Sequence, residues 1–239
     1  MREEMIRIRS YDVLPDGSVK PSAMQRYMQQ IARDDIAAYG ATYEAMREQS
    51  MVFVITRLRM DFLSEIRDGD ELLLKTFPYK VEGVTWFRSF EAYRNGERVM
   101  TADSRWVLLN FQTRSILRPS ELRFEIPSSE ITEEYPPIPR RISLAGTPFR
   151  ESKRKIYLTQ TDENCHLNNC VYSDLALDDA PIDLDGKRIC TVCILFEREA
   201  VQGDTLTLRY EKTEDGFVAS ADNDSDGKPC FRTLFTLDF

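Results

Sequence analysis

The single histidine of this 239-residue chain, His166, lies within a short cluster of polar residues that could support acid–base chemistry. Asp162 and Asn164 precede it, and Asn168 follows it where a helix is predicted to begin. Because a helix start exposes unpaired amide donors and the positive end of a dipole, a carbonyl oxygen that develops negative charge could be stabilised there. Taken one at a time, Asp162 and Asn168 are better explained as turn and helix-cap residues than as catalytic ones.

Other recognisable catalytic motifs are absent from the sequence, which has no Gly-x-Ser-x-Gly elbow, no Walker-type phosphate loop and no GxGxxG loop. Cys190 and Cys193 have CxxC spacing, but they lie in an apolar run that is typical of a buried strand. A zinc site needs more ligands than one such pair and one histidine supply. We therefore expect no metal and no other cofactor, and reduced cysteines.

Composition restricts the partners and the compartment. The formal net charge of −8 disfavours nucleic acid, because phosphate binding requires a basic face. No apolar run approaches the roughly 18 residues that a membrane span needs, and residues 1–4 resemble neither a secretory signal nor a transit peptide. The sequence thus predicts a cytoplasmic globular protein without a membrane span, and a homodimer is compatible with it.

Helix-like and strand-like patterns occur in the same order twice. In the first half, apolar residues recur at helical spacing from residue 21 to about residue 48, and strand-like runs follow at residues 52–62, 71–77, 85–93 and 98–109. Asn95-Gly96 gives the strongest hairpin signal. The second half is predicted to contain a strand near residues 155–160, a helix near 168–179, and strands at 189–196, 205–211, 217–221 and 230–237.

The two halves also share a spaced motif. Each of its residues recurs 134 positions later: Phe62, Glu65, Gly69-Asp70, Leu72 and Leu74 correspond to Phe196, Glu199, Gly203-Asp204, Leu206 and Leu208. The same spacing in matching helix-then-sheet contexts indicates an internal duplication. We therefore predict an α+β fold with units at residues 1–118 and 155–239, joined by a proline-rich linker at residues 119–154.

The polar cluster resembles a known motif. The pattern Asp162-x-Asn164-x-His166-x-Asn168-Asn169-x-x-Tyr172 ahead of a helix is similar to that of hotdog-fold thioesterases, and more closely to that of plant-type acyl-acyl-carrier-protein thioesterases. Their motif has Gln and Val in place of Cys165 and Leu167. The resemblance continues at residues 55–57, 179–181 and 196–200, and it implies a tandem (double) hotdog fold, each unit a long helix wrapped by an antiparallel β-sheet.

Carried over by position, the family's catalytic residues fall on Asp162, Asn164, His166 and Glu199. The resemblance thus implies hydrolysis of a fatty acyl thioester of acyl carrier protein to free fatty acid. Glu199 would be the general base on water, His166 would polarise the carbonyl, and Asn164 would position substrate or water. Asp162 would orient its neighbours, although an exchange of roles with Glu199 stays open. Many plant members have a cysteine where this chain has Ala200, so a thiol nucleophile at that position is excluded.

Further residues are candidates for binding. The counterpart of the motif in the first half, residues 10–17, has no histidine, so one active site per chain is expected. An acyl tunnel could be lined by first-unit residues, with Asn168 beside the motif, although core packing explains the same set: Met24, Tyr27, Met28 and Trp86. An acidic carrier could dock on a basic cluster, for which a solvated linker is the alternative interpretation: Arg150, Lys153, Arg154 and Lys155.

Three other functions remain compatible with the sequence. They are hydrolysis of acyl-coenzyme A, a dehydratase or hydratase reaction on a 3-hydroxyacyl thioester, and binding of acyl chains or protein partners without catalysis. A dehydratase needs no water-activating Glu199, and binding alone does not require the four polar residues together.

Overall fold

The computed structural model describes residues 1–130, 135–146, 148–182, 184 and 186–238. The helices are α1 (Pro21–Ala37), α2 (Tyr43–Glu48) and α3 (Val171–Asp178). The strands are β1 (Arg2–Arg7), β2 (Met51–Phe62), β3 (Glu71–Glu82), β4 (Thr85–Arg94), β5 (Glu97–Asn110), β6 (Ser115–Ile116), β7 (Arg150–Lys155), β8 (Arg188–Phe196), β9 (Thr205–Thr213), β10 (Gly216–Asn223) and β11 (Pro229–Asp238). None of the helices in these described ranges is long and apolar enough to cross a lipid bilayer.

One continuous antiparallel sheet carries both halves of the chain. Its strand order is β1-β3-β4-β5-β2-β8-β11-β10-β9-β7, and the short β6 pairs with β5. Read from the outer edges inward, β1-β3-β4-β5-β2 and β7-β9-β10-β11-β8 have the same connectivity. The predicted α+β architecture of two similar units is therefore confirmed, and β2 and β8 form the seam between them.

The residue pairing between β2 and β8 has the twofold symmetry of the internal repeat. Arg59 of β2 pairs with Cys193 of β8, which is its own counterpart 134 positions later. On either side, Leu58 pairs with Ile194, and Met60 pairs with Val192. Because the pairing is the same when the two units are exchanged, a pseudo-twofold axis passes through the Arg59–Cys193 pair.

The two units share one apolar core. Met24, Met28 and Ile31 recur along one face of α1 and are almost fully buried, as the helical spacing requires. They belong to the same cluster as Tyr172 and Leu175 of α3. Burying such side chains contributes about 1.5–3 kcal/mol each, so the packing of the two helices between the units helps hold the sheet as one body.

Two predicted elements differ from the structure. The helix predicted from residue 21 to 48 ends at Ala37 because Gly40 turns the chain with a φ of +86° and Thr42 caps a separate helix by accepting the N–H of Ala45. The strand predicted at residues 155–160 is wrong, since β7 is Arg150–Lys155. This charged edge strand lacks apolar alternation, so its sequence gave no strand signal.

The predicted linker packs against the face of the sheet opposite the helices. Ile138 and Ile142 contact the outward-facing side chains of Cys193, Leu195 and Val218. Residues 150–154 of the predicted linker belong to β7. Residues 131–134 and 147 lie outside the described residues, and the division at 118 and 155 stays a prediction.

Candidate active site

The polar motif forms a tight turn that Asp162 builds. The Asp162 N–H donates to the His166 carbonyl at 2.8 Å, and Asp162 Oδ1 accepts the backbone N–H groups of Asn164 at 2.8 Å and His166 at 3.3 Å. Cys165 completes the turn with a φ of +62°. These local bonds hold Asn164 and His166 on one short loop between β7 and α3, close to the shared core.

A backbone connection brings Glu199 to this loop. The Leu167 N–H donates to the Ala200 carbonyl at 2.7 Å, and His166 forms an antiparallel bridge with Val201. As a result, His166 Nε2 lies 3.8 Å from Glu199 Oε1, with each side chain about one-third exposed (33% and 37%). This separation is longer than a hydrogen bond, so both groups can still bond a third molecule.

The first unit contributes a cation to this pair. Arg114, in the turn that follows β5, forms an ion pair with Glu199 Oε1 across 85 positions of sequence. Its guanidinium is well exposed, and its backbone φ is +59°. Nothing in the spacing of the sequence indicated Arg114, because the contact depends on how the two units pack.

A second contact from the first unit involves α2. The Tyr43 hydroxyl donates to Asn164 Oδ1 at 3.2 Å, and Arg47 Nη1 donates to the Tyr43 oxygen at 2.8 Å. Arg33 of α1 lies over the Tyr43 ring and pairs with Glu163 of the motif loop at 2.7 Å. The candidate site therefore lies at the junction of the two units, and its first-unit half was not predicted.

The first unit retains the scaffold of the site without its chemistry. Ser18 bridges Arg67 where the second unit has the His166–Val201 bridge. Gly17 occupies the turn position of Cys165, with a φ of +85°. Glu65 corresponds to Glu199 and pairs with Arg67 at 2.6 Å. Equivalent hydrogen bonds thus place a serine at the histidine position.

Asn168 is committed to backbone structure. Its Oδ1 accepts the Cys170 N–H at 3.0 Å, and its carbonyl accepts the Val171 N–H at 2.9 Å. Both bonds shape the start of α3, as expected for an asparagine that precedes a helix. Its assignment to substrate binding stays a prediction that these contacts do not favour.

The acyl-tunnel candidates lie inside the first unit. Met24 and Met28 are buried in the shared core. The Tyr27 hydroxyl donates to Asp12 Oδ2 at 2.7 Å, and burial together with this carboxylate raises the pKa of Tyr27 to about 12. Trp86 packs edge-on against Phe53 at 5.4 Å, and its buried Nε1 has no hydrogen-bond partner among the described residues. Their role in acyl binding stays a prediction.

Most of the basic cluster is paired within the second unit. Arg150 donates to the carbonyls of residues 179 and 180, Lys153 pairs with Asp224 at 2.7 Å, and Arg154 donates to Asp179 at 2.7 Å. Lys155 is exposed and pairs with no carboxylate in the described part of the chain. It lines an open cleft of about 530 Å³ with six further residues: Ile156, Tyr157, Leu158, Thr159, Gln202 and Gly203.

This cleft adjoins the candidate site. Leu158 and Tyr157 are strongly exposed for apolar side chains, and so is Val201, which bridges His166. We call the exposed apolar surface formed by Tyr157, Leu158 and Val201, with Lys155 at its border, the apolar ledge. An exposed apolar surface beside a lysine is typical of an interaction surface.

Comparison with known proteins identifies the relatives of this chain. A family model described as the acyl-ACP thioesterase N-terminal domain matches residues 2–125. A chloroplastic acyl-[acyl-carrier-protein] hydrolase of Cuphea viscosissima is 23% identical over 209 residues, with coverage of 80% of this chain and 50% of the relative. The chloroplastic palmitoyl-acyl carrier protein thioesterase of Arabidopsis thaliana is 24% identical over 229 residues, with coverage of 89% and 52%.

The chain thus spans about half the length of these curated relatives. Among solved structures, an acyl-ACP thioesterase from Bacteroides thetaiotaomicron superposes with a TM-score of 0.87 at 18% sequence identity, with coverage of 99% of this chain and 97% of that one. The agreement over both chains confirms the predicted double hotdog fold.

Proposed function

This chain belongs to the acyl-ACP thioesterase family, and we therefore propose that it hydrolyses the thioester of a fatty acyl-acyl-carrier protein to free fatty acid and carrier. The observation that carries the proposal is the 3.8 Å approach of His166 Nε2 to Glu199 Oε1 beside a loop that also presents Asn164. A base, a carbonyl-polarising group and an amide donor are the parts that thioester hydrolysis requires.

In the proposed reaction, Glu199 accepts a proton from water as the water oxygen bonds to the thioester carbonyl carbon. Negative charge then develops on the carbonyl oxygen, where a donor from His166 or Asn164 stabilises it. Collapse of the tetrahedral intermediate breaks the carbon–sulfur bond, and the proton held by Glu199 passes to the leaving thiolate. No cofactor takes part in these steps.

The assignment of Glu199, rather than Asp162, as the base is supported by their hydrogen bonds. Asp162 Oδ1 already accepts two backbone N–H groups within its own turn, so its carboxylate is used to shape the loop. The ion-pair partners of the Glu199 carboxylate among the described residues are both side chains, those of Arg114 and His166. Because Arg114 is exposed, Glu199 can exchange this partner for water when substrate binds.

The proposed carrier is acyl carrier protein, an acidic partner. Two residues of the basic cluster predicted for its docking, Lys153 and Arg154, are paired with carboxylates, and Arg150 donates to backbone carbonyls. Lys155 is therefore the best-placed member. Lys155 and the exposed Tyr157 and Leu158 border the cleft that adjoins the candidate site. We place carrier docking on this ledge, where one cation and apolar side chains meet.

The test compares one acyl group on two carriers. Purified protein is assayed for thiol release from the acyl-carrier-protein ester and from the coenzyme A ester, and the proposal expects a higher kcat/KM for the first. A clear preference for the coenzyme A ester would contradict the carrier assignment. Double-bond formation from a 3-hydroxyacyl thioester, without thiol release, would show a dehydratase instead. Tight acyl binding without any turnover would indicate that the chain binds acyl groups and does not hydrolyse them.

A further inference from the structure

A directed chain of hydrogen bonds reaches the candidate site from the first unit. Arg47 Nη1 donates to the Tyr43 oxygen at 2.8 Å, and the Tyr43 hydroxyl lies 3.2 Å from Asn164 Oδ1. Tyr43 and Arg47 belong to α2 and lie one turn apart, whereas Asn164 belongs to the motif loop, 121 positions later. None of these contacts is needed to form the loop, which Asp162 already holds together.

The chemistry of the donors fixes the direction of this chain. A guanidinium has donors only, so the Tyr43 oxygen must be the acceptor from Arg47. The one hydroxyl hydrogen of Tyr43 is then left to donate to Asn164, whose oxygen rather than nitrogen must face it. Within the described residues Asn164 Nδ2 donates to no protein atom, so both of its hydrogens remain available to a bound molecule.

Other contacts hold Tyr43 in place. The guanidinium carbons of Arg33 and Arg47 lie 4.9 Å and 5.4 Å from the centre of its ring, which favours cation–π attraction. Arg33 is in turn paired with Glu163, the residue before Asn164. The Tyr43 side chain is thus held by two arginines at its ring and by hydrogen bonds at its hydroxyl.

We propose that Tyr43 and Arg47 are positioning residues that orient the Asn164 amide, so that it presents Nδ2 as a hydrogen-bond donor to the thioester carbonyl or to the attacking water. The inference rests on the proposed role of Asn164 in thioester hydrolysis. A hydrogen-bonded chain that begins at a cation is polarised along its length, so Arg47 also strengthens the donor that Asn164 offers. The active site of the second unit is therefore completed by a helix of the first.

The sharpest variant is Tyr43→Phe, which removes the hydroxyl and keeps the ring that the two arginines contact. Loss of one orienting hydrogen bond is expected to lower kcat about tenfold, with KM changed by less than about twofold because the bound acyl chain is untouched. Tyr11→Phe is the matched control, since Tyr11 is a strongly exposed tyrosine of the first unit, and it should match the wild type.

A double-mutant cycle separates positioning from general structure. If Tyr43 acts through Asn164, Tyr43→Phe should cost little further activity in an Asn164→Ala background, because the amide that it orients is gone. Equal fold losses in both backgrounds would show that Tyr43 does not act through Asn164 and would overturn the inference. So would full kcat in the Tyr43→Phe single variant.

A second readout does not depend on turnover. In protein labelled with ¹⁵N-asparagine, Tyr43→Phe should shift or broaden the side-chain amide signals of Asn164, assigned by their loss in Asn164→Ala. Tyr11→Phe should leave them in place. Unchanged Asn164 amide signals in Tyr43→Phe would refute the inference even if the wild type hydrolyses the thioester. Changed signals in a protein that hydrolyses no thioester would instead reject the proposed function and leave the orienting contact established.

Discussion

His166 Nε2 lies 3.8 Å from Glu199 Oε1, although the two residues belong to separate loops, which backbone pairing joins. The bridge between His166 and Val201 fixes this approach, because it locates the residue two positions after Glu199 directly beside the histidine. The approach of the two proposed acid–base groups is thus a consequence of the hotdog scaffold, which the first unit shares without carrying the histidine.

Glu199→Gln keeps the size of the side chain but removes its ability to accept a proton. We expect turnover of the acyl thioester to fall by about 10²- to 10⁴-fold with the fold intact, as measured by thiol release and by circular dichroism. Glu65→Gln is the matched control, because Glu65 occupies the equivalent position and is also paired with an arginine. Similar losses in both variants would mean that the carboxylate acts through charge or stability rather than as a base.

Cys165 is held in the left-handed region with a φ of +62°, where the equivalent turn of the first unit has Gly17. Cys165→Gly should raise the free energy of unfolding by up to about 1 kcal/mol, because a side chain is strained at this φ. Urea denaturation measures the change, and turnover should persist because the proposed mechanism uses no thiol. Loss of hydrolysis in a folded Cys165→Gly protein would contradict the carboxylate mechanism.

Introducing a side chain at the equivalent turn of the first unit provides the control. Gly17 has a φ of +85°, and a Cβ there would lie 3.1 Å from Arg67 Nη1. Gly17→Ala should therefore destabilise the protein by about 1–2 kcal/mol. Opposite signs at these two equivalent positions are expected from the left-handed φ that both share, and the contact with Arg67 adds to the cost at Gly17.

Local signals predicted most of the sheet. Asn95 and Gly96 take φ values of +54° and +85°, as a type I′ hairpin turn requires, and the 134-residue offset reappears as the Arg59–Cys193 pair. Strand β7 could not be predicted, because a charged edge strand has no apolar alternation.

The candidate site could be predicted only in part. Its residues at 162–168 follow one another in a recognisable pattern. Glu199 lies at the position that corresponds to Glu65 in the 134-residue repeat. Tyr43 and Arg114 act across 121 and 85 positions, and such contacts arise from the packing of the two units. Neither residue has a local motif that marks it, so only the folded chain reveals them.

Lys155 and Lys153 give a matched test of carrier docking. Lys155 borders the open cleft, whereas Lys153 pairs with Asp224 at 2.7 Å. Lys155→Glu should raise KM for the carrier-bound ester several-fold, less so at high salt, and spare the coenzyme A ester. Lys153→Glu should have the smaller effect on KM. Equal effects of Lys155→Glu on both esters would refute docking at this ledge.

A buried ion pair joins α1 to the sheet, and removal of one of its partners should be strongly destabilising. Arg88 Nη2 lies 2.9 Å from Asp35 Oδ2, and both side chains are almost fully buried. Burial lowers the pKa of Arg88 below its usual range, although Asp35 opposes the shift. Asp35→Asn should therefore cost about 3–5 kcal/mol of unfolding free energy, because the guanidinium charge loses its counter-charge. Asp34→Asn, at a half-buried neighbour bonded to Gln30, should cost less than about 0.5 kcal/mol in the same urea titration.

His166 and Glu199 are expected to act as one unit. His166→Ala should reduce turnover about as strongly as Glu199→Gln, since each removes a part that the other needs in the transition state. The double variant should then lose less than the product of the two single losses, because groups that function together are non-additive. Single-turnover kinetics with one acyl-carrier-protein ester measure all three variants on the chemical step. Fully multiplicative losses would mean that the two side chains, despite their 3.8 Å approach, contribute to separate steps.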